Sequence, residues 1–370
     1  MCATGCGHRE ISFFSITMGT PERIAGVLPA PIQLLSSSHL TTLWSSYGHI
    51  YRLWVRLDNS PSSKTSLILK TVNPPAVTRA ADESHLRKLV SYRVERYFYA
   101  NLSSALSPPN LARVATCYPV AEKASNDSLL LEDLEVNFPI SPGSGLGLQR
   151  THAVLKWLAN FHAAFWGLPN DPSVTLIPPP FDVPNPSEAQ GAWAQGGYWY
   201  LDTRQEEYSC IGSDWKTHLP HFQAAAEKLK TDTRGRTLIH GDCKAANILF
   251  SADSSTCALY DFQYVGGGLG AQDLVYFIGT SIDGAILRKN GAHEELLNYY
   301  YQELKTALKL RNLNADKDLF TFAVLKSQFE VALVDWMRFM AGWGRWGNAG
   351  WVESNVRSIL KRWTAENSGP

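Results

Sequence analysis

Hydrophobic and polar positions in the first third of the chain follow two different periods. Residues 50–57 and 66–72 are rich in β-branched and aromatic side chains, a composition that predicts two strands. From residue 86 to residue 98 the apolar side chains recur at three- and four-residue steps, the period of a helix with one buried face. An apolar run at residues 129–131 predicts another buried strand, which ends in a polar connection. This part of the chain is therefore expected to form a small sheet with one helix.

The rest of the chain is dominated by helical periods. Residues 148–166 place an apolar stripe on one side, and Gly167 follows as a C-terminal glycine should. Residues 273–278 open a further helix, and the last third is helical and aromatic. Three short β-prone runs interrupt this pattern, at residues 237–239, 248–250 and 258–260. The order of elements indicates an α+β fold in which the helices lie mainly in the second part.

The clearest chemistry lies around those three short runs. Asp242, Lys244 and Asn247 follow the first run, and Asp261 follows the third. Kinase-type phosphoryl transfer needs a carboxylate that accepts a proton and a cation near the phosphoryl group. It also needs an amide oxygen and a second carboxylate to hold metal ions. The five-residue step from Asp to Asn is that of the protein-kinase pattern H-R-D-L-x-x-x-N. An Asp and an Asn near strands can simply cap turns, but four such residues at this spacing favour phosphoryl transfer.

A lysine at the end of the second predicted strand suits the same chemistry. Lys70 closes a Leu-Ile-Leu-Lys sequence that has the character of the V-A-I-K strand of kinases, although an edge-strand lysine is also common. A kinase pairs this lysine with an acid on the following helix, which keeps the lysine on the nucleotide phosphates. Glu95 and Glu83 are the two candidates on that helix.

These motifs resemble a known family. The sequence from His240 to Asn247, followed by Asp261-Phe262-Gln263, resembles the aminoglycoside phosphotransferase and choline kinase superfamily, and within it the ecdysteroid-kinase-like branch. Three further stretches agree with this resemblance, at residues 129–134, 158–166 and 273–277. The likeness runs in order over roughly residues 40–350, which makes it specific for the superfamily without identifying a substrate.

The resemblance implies a two-lobed, protein-kinase-like α+β fold. Residues 31–134 are expected to form a small N-lobe of antiparallel sheet plus one helix, with the hinge at its end. Residues 135–370 are expected to form a larger, mostly helical C-lobe, and residues 1–30 a disordered leader. The implied activity is ATP-dependent transfer of the γ-phosphoryl group to a hydroxyl of a small-molecule metabolite, with ATP and Mg²⁺ as cofactors.

The implied roles of individual residues follow from their places in the motifs. Asp242 is the base, Lys244 touches the moving phosphate, and Asn247 and Asp261 hold Mg²⁺. Glu95 is preferred over Glu83 because the family's helix carries its acid just before an aromatic pair. The nucleotide is expected to contact Lys70, braced by Glu95, and the hinge residues Glu132, Asp133 and Leu134. His240 and Asp273 are expected to support the catalytic loop from behind.

Composition limits the partners of the protein. Formal net charge is zero, from 34 basic and 34 acidic residues, so no strong field would attract nucleic acid or an anionic membrane, and a polycationic acceptor is disfavoured. Six scattered cysteines form no disulfide framework, which favours a reducing, cytoplasmic location. No apolar run approaches the length of a membrane span, and no feature indicates an obligate protein partner.

Three alternatives stay open at the level of sequence. Residues 45–49 contain one glycine instead of a Gly-rich phosphate loop, so a catalytically inactive, nucleotide-binding or scaffold protein with a kinase fold is the competing function. The proline-rich residues 167–190 either line the acceptor site or only connect two helices. The C-terminal tryptophans, with Asp335 and Arg338 among them, form either a plain core or an aromatic wall for a flat or cationic acceptor.

Overall fold

The fold was analysed on a computed structural model of the chain. The structure describes residues 21–58, 63–74, 82–106, 112–121, 128–143, 145–313, 319–365 and 369.

The N-lobe is an antiparallel sheet flanked by a helix. Its strands are β1 (Gln33–Thr42), β2 (Gly48–Arg56), β3 (Lys64–Val72), β4 (Cys117–Tyr118) and β5 (Leu129–Glu132), and its helices are α1 (Pro21–Ala25) and α2 (Glu83–Tyr97). The order of strands across the sheet is β1-β2-β3-β5-β4, with every neighbouring pair antiparallel. On β3, Leu67 and Leu69 are buried on one face of the sheet, while Ile68 and Lys70 point to the cleft on the other.

The C-lobe is mostly helical. Its helices are α3 (Leu148–Ala164), α4 (Gln205–Ser209), α5 (Ser213–Lys216), α6 (Leu219–Thr231), α7 (Gly270–Ser281), α8 (Gly284–Leu287), α9 (Ala292–Leu310), α10 (Phe322–Trp343) and α11 (Ala349–Ala365). Its short strands are β6 (Leu176–Ile177), β7 (Ala192–Trp193), β8 (Arg236–Ile239), β9 (Ile248–Phe250), β10 (Cys257–Leu259) and β11 (Gly266–Leu269). Strands β9 and β10 form a hairpin, and β6, β7, β11 and β8 form a second small sheet. The predicted two-lobed α+β fold is confirmed.

Helix α2 joins the two lobes through its apolar face. Val90, Val94 and Phe98 are fully buried in a core that they share with α3 and the other C-lobe helices. The opposite face of the N-lobe sheet has its own smaller core. The helix that carries Glu95 is therefore held by the C-lobe as well as by the sheet beside it.

Several boundaries differ from those expected. Strand β1 begins at Gln33, although its many exposed polar residues gave no strand signal. Helix α7 begins at Gly270 and not at Asp273, because the Gln272 side chain accepts a hydrogen bond from Leu269 N and caps the earlier turn. From Pro21 onward the chain belongs to the packed lobe rather than to the leader expected at residues 1–30, since Ile24 and Leu28 are buried against the sheet. Residues 1–20 lie outside the described residues.

Two glycine- and proline-rich segments of the C-lobe have structural roles. Gly266, Gly267 and Gly268 have no positive φ and form strand β11. A Cβ at Gly266 would lie 2.4 Å from Trp193 O, so these glycines permit close approach of β7. The proline-rich residues 167–190 do not line the cleft; two of their short turns pack against α2.

None of the helices in the described ranges combines the length and the apolar character needed to cross a bilayer.

Candidate active site

The catalytic loop connects β8 to β9 and is held in place by Asp273. The backbone N–H groups of His240 and Gly241 donate to the Asp273 carboxylate, at 2.7 and 2.9 Å. Gly241 has φ of +80°, and a Cβ there would lie 2.2 Å from Tyr264 O, so only glycine fits this turn. Asp273 therefore holds the backbone at the start of the loop.

Asp242 is buried in the loop and paired with two neighbours. Lys244 Nζ lies 2.9 and 3.1 Å from its two carboxylate oxygens. The Asn247 Nδ2 group donates to the Asp242 backbone oxygen at 2.8 Å and to Oδ2 at 3.0 Å. Burial raises the pKa of Asp242 above its ordinary value, although Lys244 opposes the change. The carboxylate is thus a stronger proton acceptor than an exposed aspartate.

Asp261 follows β10 and faces the cleft in a left-handed backbone conformation. Its φ is +67°, which is uncommon for a residue other than glycine. Lys70 Nζ lies 3.3 Å from Oδ1, and the side chain is 33% exposed. Burial alone would raise the pKa of Asp261, but Lys70 and then Lys244 outweigh it and lower that pKa, so the carboxylate is ionised at neutral pH.

Lys70 pairs with Glu95 and not with Glu83. The distance from Lys70 Nζ to Glu95 Oε2 is 2.6 Å, and both side chains are buried. Burial favours the uncharged lysine, yet the Glu95 and Asp261 carboxylates prevail and hold the pKa of Lys70 above its ordinary value. A charged lysine is therefore fixed at the cleft beside Asp261.

The three hinge candidates line the cleft, but two of their side chains are already engaged. The Glu132 carboxylate accepts hydrogen bonds from Arg113 and from Thr116 N, and Arg113 lowers its pKa against the effect of burial. Asp133 accepts from Ser66 Oγ at 2.8 Å. Leu134 is buried. A ligand at this edge of the cleft would therefore meet backbone groups and an apolar side chain.

His240 supports the loop through its ring. Its Nε2 lies 3.1 Å from Tyr260 O, which ties the loop to the residue before Asp261. The ring is fully buried, and burial lowers its pKa in spite of the nearby carboxylates. A neutral imidazole in this place joins the two segments that carry Asp242 and Asp261.

One cleft of about 970 Å³ between the lobes brings most of the predicted residues together. Its lining includes Lys70, Glu95, the three hinge candidates, Asp242, Lys244 and Asp261. The β1–β2 turn covers one end of the cleft; there Ser45 and Ser46 have φ of +57° and +61°, and Trp44 is 87% exposed. This turn stands where a Gly-rich loop would be expected.

The C-terminal aromatic residues divide between core and cleft. Trp336 and Phe339 are fully buried, whereas Trp343 is exposed and lines the cleft. Asp335 and Arg338 are buried and paired with each other at 2.7 Å, so neither contributes a free charge to an acceptor wall. The aromatic region is mainly core, with Trp343 as its contribution to the cleft.

Two residues behind the site were not predicted from the sequence. His162 Nε2 lies 3.1 Å from the Asp273 carboxylate, a contact that no sequence motif indicates. Tyr276 is buried, and burial followed by the nearby Asp242 carboxylate raises the pKa of its hydroxyl. Its helical position next to Asp273 was visible in the sequence, but its approach to Asp242 depends on how α7 packs.

The arrangement combines a buried carboxylate, two charged lysines and a second, ionised carboxylate around one cleft. Such a site can accept a proton from a hydroxyl and hold an anionic, phosphate-bearing ligand together with a cation.

Comparison with known proteins identifies a family. The sequence profile of the Ecdysteroid kinase-like family matches residues 46–174 and 201–313, more than half of the chain. A search of curated proteins finds no match.

Solved structures similar to this chain include three small-molecule kinases. The amicoumacin kinase hAmiN in complex with AMP-PNP, Ca²⁺ and Ami has 13% identity and a TM-score of 0.47, over 92% of each chain. A choline kinase from Cryptosporidium parvum Iowa II has 10% identity and a TM-score of 0.48, over 90% of this chain and 91% of its own. The choline kinase LicA from Streptococcus pneumoniae has 11% identity and a TM-score of 0.44, over 90% and 94%.

The family profile extends over both lobes and includes Lys70, the catalytic loop and Asp261, so the resemblance drawn from the motifs is confirmed. The chain belongs to the ecdysteroid kinase-like family.

Proposed function

We propose that this protein is an ATP-dependent kinase that transfers the γ-phosphoryl group to a hydroxyl of a small-molecule metabolite. The observation that carries the proposal is the meeting of Lys70, Asp242, Lys244 and Asp261 on one cleft, with Asn247 bonded to Asp242. Family membership supports a kinase activity in general, and the acceptor and the metal are part of the proposal.

Asp242 takes the proton of the acceptor hydroxyl. As that O–H bond breaks, the acceptor oxygen bonds to the γ-phosphorus, and the bond from phosphorus to the bridging oxygen of ADP breaks. The raised pKa of Asp242 improves its strength as a base near neutral pH. The hydrogen bonds from Asn247 fix the direction of the carboxylate.

Lys244 supplies positive charge next to the reacting atoms. Burial lowers its pKa, but Asp242 more than compensates, so the ammonium stays protonated. The side chain is 36% exposed to the cleft, and its charge can reach both the base and an incoming phosphoryl oxygen.

The residues present fit Mg²⁺. Asp261 offers an ionised carboxylate in the lining of the cleft. Asn247 is buried and is not part of that lining; its amide nitrogen faces Asp242, so its amide oxygen is the end that would bind a cation. Mg²⁺ is usually held by one or two carboxylates plus substrate phosphates and water, so a small protein donor set suffices. When bound, the cation would neutralise charge on the nucleotide phosphates.

The N-lobe side of the cleft suits the nucleotide. Lys70, held by Glu95, is a charged group available to phosphate oxygens. Because the Glu132 and Asp133 side chains are engaged elsewhere, the hinge would offer backbone N–H and C=O groups to adenine. The base and Lys244 then face an acceptor on the C-lobe side.

The acceptor is an alcohol with some apolar surface. Tyr198 lies 5.9 Å from Lys244 Nζ, measured to its ring centre, and lines the same cleft as the exposed Trp343. Steroids, amino-alcohols and sugars all offer a hydroxyl next to carbon surface that can pack on such rings. A metabolite library with these three classes is the appropriate screen.

Calorimetric titration with ATP, with and without Mg²⁺, on wild type and Asp261→Ala tests the nucleotide and metal assignments. Binding that requires Mg²⁺ and weakens in the variant supports them. A folded wild type that binds no ATP would instead favour an inactive scaffold. The acceptor screen then follows phosphate transfer, with Asp242→Asn as the control that should bind ATP and transfer nothing.

A further inference from the structure

Asp261 occupies a backbone conformation that its neighbours must maintain. A residue other than glycine with φ of +67° sits in a sparsely populated region, and such conformations persist where the surroundings determine them. The segments on both sides of Asp261 are therefore the place to look for what holds it. Each of the next two residues, Phe262 and Gln263, is fixed by contacts from another part of the chain.

Phe262 is enclosed by aromatic rings. Its ring stacks on Phe98 at 3.9 Å between centres, lies 4.6 Å from His240 and lies 6.0 Å from Phe161. Phe98 directly follows helix α2, so Phe262, the residue after Asp261, is packed against the end of the N-lobe helix. This contact is apolar and limits movement, but it does not set the direction of the backbone beyond Phe262.

Gln263 is held at both its main chain and its side chain. Its backbone oxygen accepts from Trp193 Nε1 at 2.9 Å. Its side-chain Oε1 lies 3.1 Å from Ser91 Oγ on α2, where Ser91 is fully buried. The Ser91 hydroxyl has one proton and a second neighbour, Lys88 O, at 2.9 Å. If the Gln263 amide is turned by about 180°, its NH₂ group donates to Ser91 Oγ, and Ser91 can then donate to Lys88 O. Ser91 and Gln263 are therefore hydrogen-bonded in either orientation of the amide.

Helix α2 and its C-cap residue Phe98 present all three contacts from one face. Ser91, Glu95 and Phe98 follow each other at steps of four and three residues, so they lie on the same side of the helix. Through them α2 touches Gln263, Lys70 and Phe262 respectively. The helix is itself tied to the C-lobe, because Arg87 Nη1 donates to Thr203 O at 2.7 Å.

We propose that Gln263 and Ser91 are positioning residues that hold the Asp261 carboxylate in the place where it binds the nucleotide-bound metal. Gln263 carries no chemistry of its own in this role. It joins helix α2 to the segment after β10, so that Lys70 on the N-lobe and Asp261 on the C-lobe keep a fixed relative position. The inference rests on the proposed kinase function.

Loss of the contact between Ser91 and Gln263 should affect Mg²⁺ binding more than acceptor binding. If the contact is lost, Asp261 keeps its charge but spends less time in the productive conformation. The Mg²⁺ concentration for half-maximal activity then rises, while the KM for the acceptor changes little. A hydrogen bond of this kind is worth about 1 kcal/mol, which corresponds to roughly a fivefold rise.

The test uses two shape-conserving variants, Gln263→Met and Ser91→Ala, and their double variant, in the full-length chain. Thr151→Val is the matched control, because Thr151 is equally buried but bonds to Leu146 O and Gly147 O at the start of α3. For each variant, the Mg²⁺ dependence of activity and the acceptor KM are measured with saturating ATP. Amide hydrogen exchange of residues 260–264 is followed in the ligand-free protein as a readout that needs no activity.

Both single variants are expected to raise the Mg²⁺ requirement roughly fivefold and to speed exchange at residues 260–264. The double variant should be no worse than the single ones, and Thr151→Val should match wild type. Effects that add in the double variant, or an unchanged Mg²⁺ requirement and exchange rate, overturn the proposal. A wild type without ATP binding refutes the kinase function separately, and the exchange rates still decide whether Ser91 and Gln263 hold Asp261.

Discussion

The Lys70–Glu95 pair allows the structural and functional roles of one contact to be separated. Glu95→Gln removes a charge but leaves Lys70 buried, with Asp261 at 3.3 Å as its nearest remaining carboxylate. Lys70→Met combined with Glu95→Leu removes both charges and fills the same space with apolar side chains. The first change leaves a buried lysine without its nearer carboxylate, whereas the second removes both charges of the pair and leaves Asp261 with Lys244 as its neighbouring cation.

The expected magnitudes follow from the burial of the pair. Breaking a buried ion pair by removing one partner costs about 3–5 kcal/mol, while replacing both partners by apolar groups is often neutral. Glu95→Gln retains a hydrogen-bonding group, so we expect the lower limit, about 3 kcal/mol. For a chain of 370 residues this loss corresponds to a fall in Tm of about 4 °C.

Thermal unfolding and ATP titration of the three proteins provide the assay. The double variant should unfold within about 1 kcal/mol of wild type. Both variants should bind ATP at least about tenfold more weakly: the double variant loses the charged phosphate contact, and Glu95→Gln loses the carboxylate that holds Lys70 in place. The pKa of Lys70 is higher in the folded than in the unfolded state, so its protonation stabilises the folded protein. This stabilisation is fully present below the unfolded-state pKa, about 10.4, and it is lost only as pH rises through the folded-state pKa. The contribution of Lys70 to the difference between wild type and Glu95→Gln should therefore stay constant up to about pH 9.

Two results would refute this reasoning. A double variant as unstable as Glu95→Gln would mean that the pair contributes net stability rather than only compensating its own burial. A double variant that retains wild-type affinity for ATP would mean that Lys70 does not contact the nucleotide, whatever the stability shows.

Three further predictions concern the catalytic loop. Asp242→Asn should lower kcat by about 10²–10⁴-fold with little change in ATP affinity. In wild type, kcat/KM should fall as pH decreases, with a midpoint above pH 3.8, because burial raises the pKa of Asp242. Asp273→Asn should cost about 1–3 kcal/mol in denaturant unfolding, since the N–H groups of His240 and Gly241 lose a charged acceptor; unchanged stability and kcat would contradict the bracing role. Gly241→Ala should lower Tm and abolish transfer because of its positive φ and the contact with Tyr264 O, whereas Gly212→Ala, with open space at its Cβ, should match wild type in both.

The positions of the candidate site residues could be predicted because these residues lie on short segments whose structure is set by local sequence. The runs before and after Asp242, and the run before Asp261, have strand composition and clear ends, so their residues could be placed around one point without knowing the tertiary fold. Lys70 was predictable for the same reason. The choice of Glu95 over Glu83 needed the family pattern, and the 2.6 Å pair agrees with it.

What the sequence missed depends on contacts between distant segments. Strand β11 consists of glycines and a leucine, which have no strand signal, and it forms by pairing with β8. The packing of residues 167–190 on α2 follows from the burial of Val183 and Ala189 in the shared core, which no local period indicates. The contact between Ser91 and Gln263 joins residues 172 positions apart in the chain.

The donor and the acceptor of each hydrogen bond between Asp273, His162 and Tyr300 can be assigned. An ionised carboxylate can only accept, so His162 must carry its proton on Nε2 towards Asp273. In the neutral ring Nδ1 then accepts from the Tyr300 hydroxyl on α9, 2.8 Å away. Oriented donors thus meet at the Asp273 carboxylate from two sides: Tyr300 acts through one tautomer of His162, and the N–H groups of His240 and Gly241 come from the loop. A change at Tyr300, far along the sequence from any reacting group, would therefore alter the acceptor that holds the loop of the base.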